Sequence, residues 1–159
     1  MREAFGGTWI LGFVVLFIVL FSGYLAVSVN YTKAFKVKNR IINIIEENEG
    51  YSESNYTSSV MESMSTDDLK ASSQTEDKIY AFLKEIGYRT TEISESRCPN
   101  DANGNSTYQD GGYCVETLSN DQGYRYYKVT TFIKLEIPIV WFNITIPITG
   151  ETRVLYNAQ

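Results

Sequence analysis

The sequence contains no histidine and only two cysteines, Cys98 and Cys114. The first absence removes the usual general base and the commonest metal ligand. The second leaves too few thiols for a structural zinc site. Outside the stretch just after the apolar N-terminal run there is no basic cluster, and the net charge is −5. Phosphate recognition needs grouped Lys and Arg, so nucleic acid is not an expected partner. G-x-S-x-G, Walker A and Gly-rich dinucleotide loops are all missing. Asp67-Asp68 and Glu46-Glu47 read as solvated faces, so no catalytic residue is assigned and a non-enzymatic protein is expected. No cofactor, metal or small-molecule substrate is expected either.

What the chain does have is a long uncharged run, residues 5–32. About 20 apolar residues suffice to cross a bilayer as a helix. Residues 9–29 are apolar all round, so no polar side is offered to water, as it would be on a surface-lying helix. Trp9 and Tyr31 stand near the two ends, where aromatic belts form. The lipid bilayer is therefore the first expected partner. A cleaved signal peptide is the competing reading, with Ala26-Val-Ser28 as its cleavage site. Its apolar region should be shorter, about 7–15 residues, and its start more basic.

The chain divides into a flank (1–8), a transmembrane helix (9–29), a stalk helix (30–50), a polar connection (51–74) and a globular part (75–159). In the stalk, Ala34, Phe35, Val37, Ile41, Ile42, Ile44 and Ile45 fall on one half of a helical wheel. Lys36, Asn39, Arg40, Asn43 and Glu47 fall on the other, and Lys38 interrupts the apolar side. Gly50 is a candidate C-cap. Two readings of the apolar half stay open: it covers the core of its own domain, or it packs against other subunits. On the second reading the helix-packing interface comprises Gly12, Gly23, Ala26, Ala34, Val37, Ile41, Ile44 and Ile45, the small residues allowing close approach in lipid.

Residues 51–74 are rich in Ser and Thr and read as a surface connection with at most a short helical turn. Ser73-Gln-Thr-Glu76 has the form of a capping box. Ile79, Phe82, Leu83 and Ile86 then follow helical spacing up to Gly87. Beyond it the period falls to two. Tyr127, Val129, Thr131, Ile133, Leu135 and Ile137 form one alternating set, and Ile144, Ile146, Ile148, Thr152, Val154 and Tyr156 another, with Gly150 as a bulge or bend. Pro138 and Pro147 suit strand ends or an edge, and residues 138–142 should turn between the two strands. Residues 114–118 and 88–93 are shorter strand candidates. The expected class is α+β, a short helix on an antiparallel sheet behind a transmembrane-plus-stalk helix.

Cys98 and Cys114 bracket a loop rich in Asn, Asp and Gly. A disulfide closing about 17 residues would add about 3 kcal/mol in the chain-entropy model; two free thiols in a reducing compartment are the alternative. Asp101-Ala-Asn103-Gly-Asn105 begins like a calcium loop. Ser106 and Gly112 then stand where glycine and glutamate are wanted, which favours a plain loop. Asn30, Asn55, Asn105 and Asn143 each open an Asn-x-Ser/Thr triplet, and no glycan is assigned to them. Orientation is contested. Lys33, Lys36, Lys38 and Arg40 after the span would hold the domain in the cytoplasm. The Cys pair and the Ser/Thr/Asn/Tyr-rich surface point outside.

The N-terminal third resembles the TadE-like pseudopilins of bacterial tight-adherence (Tad) pilus systems. The resemblance rests on Gly6-Gly7 before the span, the span itself, and Tyr31-Thr-Lys-Ala-Phe-Lys-Val-Lys-Asn-Arg40. Ile137-Pro-Ile-Val-Trp-Phe-Asn-Ile-Thr-Ile-Pro-Ile-Thr-Gly-Glu-Thr-Arg153 is similar to that family's closing strand pair. The resemblance implies a pilin-like fold, an extracytoplasmic domain, other pilin or pseudopilin subunits as partners, and a role in assembling a Tad or type IV-like pilus. Prepilins of this group carry a glutamate five residues into the mature chain. Here Leu11 or Gly12 occupies that place, so an unprocessed or atypically processed anchor is expected. A single-pass sensor or ligand-binding ectodomain is the alternative function.

Overall fold

The computed structural model describes residues 2–88, 98, 106–109, 112–137 and 142–156. Four helices, α1 (Arg2–Glu47), α2 (Ser58–Ser63), α3 (Thr66–Ala71) and α4 (Thr75–Glu85), precede four strands. These are β1 (Ser106–Gln109), β2 (Tyr113–Ser119), β3 (Arg125–Ile137) and β4 (Phe142–Glu151). The strands form one antiparallel sheet in the order β1-β2-β3-β4. The class is α+β, as the periodicities imply.

α1 is one continuous helix of 46 residues, about 69 Å long at 1.5 Å per residue. Nothing in its described residues breaks the ladder: proline is absent until Pro99, and Gly7, Gly12 and Gly23 meet no crowding. It ends in a paired-bond cap. Glu49 N–H donates to the Glu46 carbonyl and Gly50 N–H to that of Ile45. Glu49, not Gly50, takes the left-handed conformation (φ 57°). The sequence-based cap is thus displaced by one residue, with glycine just past the position that needs it. α4 places glycine correctly: Gly87 (φ 64°) donates to Lys84, and Tyr88 to Leu83.

The core lies between one face of the sheet and two helices. Val37, Ile41, Ile44 and Ile45 of α1 and Ile79 and Leu83 of α4 meet Tyr113, Val115, Tyr127, Val129 and Leu155. Cross-strand register explains the sheet's contribution, because Tyr113 opposes Thr131 and Val115 opposes Val129 on one face. On the opposite face Glu116 opposes Lys128, and the two form a 3.3 Å ion pair that is not aligned as a hydrogen bond.

Four expectations change here. Residues 51–74 are no mere connection: α2 and α3 bury Met61 and Leu69 against Ala81 of α4. The capping box does not form, since Gln74 is the N-cap of α4 and gives no side-chain bond. Instead Ser52 caps from a distance: its hydroxyl accepts from Thr75 N–H and its carbonyl from Glu76 N–H. Ile86 is exposed rather than part of the buried stripe. The second long strand ends at Glu151. The chain then stays beside β3 through Thr152 N–H to Tyr127 and Leu155 N–H to Arg125, so Val154 and Tyr156 do not continue the strand, and Tyr156 is exposed. Residues 89–93, the Asp101–Asn105 loop and the turn at 138–141 lie outside the described residues.

Gly150 is no bulge. It sits in regular register opposite Val129, and a Cβ there would stand 2.8 Å from Cδ of Lys38 and 2.9 Å from Cδ1 of Ile42. Glycine is needed because α1 crosses β4 at that point. The Lys38 stem lies in the space so left, with its ammonium 4.4 Å from the centre of the Phe35 ring. This is how a lysine interrupting the apolar side is accommodated: the stem is buried and the charge meets a π-face.

Candidate membrane anchor and its junction with the domain

α1 carries two kinds of surface on one rod. From Trp9 to Tyr31 the large apolar side chains are exposed: Trp9 70%, Phe17 68%, Leu20 65% and Tyr24 69%. The helix is long and apolar enough to cross a membrane, and none of its most apolar stretch is buried. Exposure on every face follows from the sequence, because a helix without a polar side has no preferred contact with a small domain. Gly12 and Ala26 are exposed, and Gly23 is half-buried. Cβ atoms added at Gly12 and Gly23 would meet nothing within 4 Å. These three small residues therefore lie on the free rod.

At Ala34 the environment changes. Ala34 is 2% exposed, Val37 3%, Ile41 0%, Ile44 5% and Ile45 0%. This corrects the interface drawn from the sequence. Those five residues are core of this chain's own domain, packed on β3, β4 and α4, and present no surface to another subunit. The apolar half-face is the same; the domain covers it. The boundary drawn at 75 also moves, because the folded unit begins at residue 34.

The basic flank is partly consumed by this packing. Lys38 is buried over Phe35, whereas Lys33, Lys36 and Arg40 remain exposed, Arg40 in a 3.4 Å surface pair with Glu47. Farther along, Arg153 N–H donates to Glu46 at 2.8 Å, so the chain after β4 is tied to the end of α1.

Cys98 and Cys114 are joined, with Cα atoms 5.8 Å apart, and pack with Phe132 on the sheet face away from α1. Tyr88 braces the same region. Its hydroxyl donates to the Phe132 carbonyl and accepts from the Phe132 N–H, which satisfies β3 just past the last residue pairing with β2. It also leaves Phe132 not hydrogen-bonded to Pro147 opposite, which is why a proline fits inside this edge strand.

The most polar interior is at the start of α4. Asp77 is fully buried and accepts from the hydroxyls of Ser54 and Ser72, while Glu76 accepts from Ser54 N–H at 2.6 Å. Acidic groups are favoured there by the helix dipole and the free N–H groups. The buried hydroxyls of Tyr51 and Tyr113 lie nearby, near each other but not in hydrogen-bond geometry. Burial above all, then the negative charge around Glu76, holds Tyr113 well above the usual phenol range; burial and then Tyr113 do the same to Tyr51. The arrangement is a neutral, proton-retaining interior that ties residues 50–54 to α4. Among the described residues no group of three His, Cys, Asp or Glu side chains is placed to hold a metal.

Sequence reasoning located the rod, the disulfide and the long strands. It missed the Ser52 and Ser54 cap and the Tyr88 brace, which join residues 22 to 44 positions apart and leave no local pattern. Compared with family models, with curated proteins and with solved structures, the chain matches none.

Proposed function

We propose that this chain is a non-enzymatic, membrane-anchored subunit of pilin or pseudopilin type, acting in assembly of a Tad or type IV-like surface filament, with its domain outside the cytoplasm. One observation carries the reading: a single helix runs from a bare apolar rod into the core of a small α+β domain. Such a rod serves no purpose in water, and it offers a large apolar surface to lipid, or to neighbouring rods. The resemblance of the N-terminal third and of the closing strand pair to TadE-like pseudopilins supplies the identity of the neighbours. The disulfide favours export. The burial of Lys38 in the domain leaves fewer free cations in the flank that argues for a cytoplasmic domain.

Assembly would be carried by the exposed rod, where Gly12, Gly23 and Ala26 permit close helix approach. Gly12→Leu with Gly23→Leu touches nothing within the subunit, so it separates assembly from folding. The expected result is loss of surface filaments by electron microscopy, as in a full deletion, with the disulfide retained. Unchanged filaments in the full deletion contradict the assembly role and promote a free-standing sensor or ligand-binding ectodomain. Protease added to intact cells, with any wall removed, should digest the domain; complete protection until lysis reverses the orientation.

A further inference from the structure

Asn30, Asn55, Asn105 and Asn143 each begin an Asn-x-Ser/Thr triplet. Such a triplet accepts an N-linked glycan where the asparagine sits in a surface loop of an exported domain. The fold separates the four. Asn30 is half-buried inside the continuous helix α1, at the edge of the span. Asn143 belongs to β4, paired with Glu136 of β3. Asn105 lies outside the described residues. Of the three described, Asn55 alone stands on irregular backbone, at a bend just before α2.

The geometry at Asn55 suits an acceptor. Asn55, Tyr56 and Thr57 are all exposed, and the Asn55 side chain has no hydrogen-bond partner among the described residues. The chain on either side is held. Ser54 N–H donates to Glu76 and its hydroxyl to Asp77, while Met61 of α2 is buried. Thr57 is extended (φ −75°, ψ 155°) and gives α2 no side-chain cap bond. Its hydroxyl meets that of Ser59 at 3.2 Å on the exposed surface, so it is free to turn toward a transferase. The middle residue is Tyr56 and not the proline that blocks the reaction. Glu53, also exposed, stands two places before Asn55, where the other triplets have Ser28, Asn103 and Trp141. This triplet alone offers a negative charge by which an acceptor groove can select it.

Position favours it too. Beyond Tyr31, α1 rises about 24 Å to Glu47 at 1.5 Å per residue. The Thr75 hydroxyl donates to the Gly50 carbonyl and Thr75 N–H to the Ser52 hydroxyl, so the segment leading to Asn55 stays near that end of α1. The triplet is thereby carried clear of the membrane.

We propose that Asn55 is an N-glycosylation site, taking an oligosaccharide from a polyprenyl-pyrophosphate-linked donor on the outer side of the membrane. Transfer requires the outward orientation proposed above. The Asn55 amide nitrogen attacks the anomeric carbon of the first sugar. A nitrogen–carbon bond forms, the carbon–oxygen bond to pyrophosphate breaks, polyprenyl pyrophosphate leaves, and the amide gives one proton to a base of the transferase. Nothing is oxidised or reduced. The glycan projects from the end of the domain away from the rod and leaves the rod free for lipid and neighbours.

The test uses the full chain, isolated from the cells that make it and digested with trypsin. Cleavage after Arg40 and Lys70 gives one peptide, residues 41–70, which contains Asn55 and none of the other three triplets. Tandem mass spectrometry should show sugar fragment ions from this peptide, with the added mass on Asn55. Asn55→Gln and Thr57→Ala should each abolish the added mass while the Cys98–Cys114 disulfide still forms, and Thr57→Ser should keep it. A glycan that persists in Thr57→Ala, or that maps to another residue of the peptide, overturns the assignment. A bare peptide overturns it as well, and protease added to intact cells then locates the failure. Bare Asn55 on a digestible domain rejects this inference alone; bare Asn55 on a protected domain rejects the outward orientation with it.

Discussion

Residues 9–31 and residues 34–47 of α1 belong to one unbroken helix and both are rich in apolar side chains, the first stretch more so, yet the two meet opposite fates. From Trp9 to Tyr31 the large apolar side chains surround the axis and are exposed; from Ala34 onward the apolar side chains keep to one side and, Phe35 apart, are buried or half-buried. Hydrophobicity alone therefore does not say where a segment goes. Its angular distribution does: a stripe can be covered by one domain, whereas a full circumference can be covered only by lipid or by several neighbours.

Breaking the buried half should have the largest effect. Ile41→Ala or Ile45→Ala, both at 0% exposure, should each cost about 2–5 kcal/mol of domain stability, read by denaturant unfolding of the full chain in nanodiscs. Phe17→Ala, on the exposed rod, should leave that transition unmoved. Equal losses would mean that the rod packs on the domain after all.

Cys98→Ser with Cys114→Ser comes next. With the cysteines 16 residues apart, the chain-entropy model gives a loss of about 3 kcal/mol, confined to the domain. Alkylation with and without reductant should first show that the native thiols are blocked.

The buried phenols give a smaller, pH-dependent effect. Unfolded tyrosine loses its proton near pH 10, while Tyr113 in the fold retains it. Stability is therefore full below about pH 10 and falls above it, by about 1.4 kcal/mol per pH unit for each such group. Tyr113→Phe should flatten this alkaline loss in unfolding curves collected from pH 8 upward. It should cost little at neutral pH, because the hydroxyl has no hydrogen-bond partner to lose. An unchanged alkaline slope would contradict the burial of this group.

The smallest effect is a gain. Glu49 is left-handed at the end of α1 (φ 57°), which costs a non-glycine residue about 1–2 kcal/mol. Glu49→Gly should therefore raise stability by about 1 kcal/mol, read as a higher denaturant midpoint at constant slope.

What was legible in the sequence followed short periods. The uncharged run, the half-apolar stalk and the alternation of β3 and β4 each declare themselves within a dozen residues. The stalk pattern could not say whether its cover is the same chain, because a stripe on Ile41 and Ile45 looks identical in both cases. Only the sheet opposite decides, and it lies some 90 residues later. Gly150 is the sharpest instance. In a strand it reads as a bend, and its actual role is set by the Lys38 stem and Ile42 crossing above it. The capping box failed for a related reason: Ser52, distant in sequence, reaches the free N–H groups of α4 first.

The division of α1 between two environments is tested most directly by spin labels placed singly at positions 9–47 of the full chain in lipid vesicles, with the native disulfide intact. Their accessibility to dissolved oxygen and to a water-soluble nickel chelate is then compared. The account predicts lipid exposure on all faces through residues 9–31, without helical periodicity, and a 3.6-residue alternation of buried and water-accessible positions from 34 onward. A 3.6-residue period of buried and water-accessible positions through 9–31 would contradict it, because the rod would then be packed against protein with one side in water.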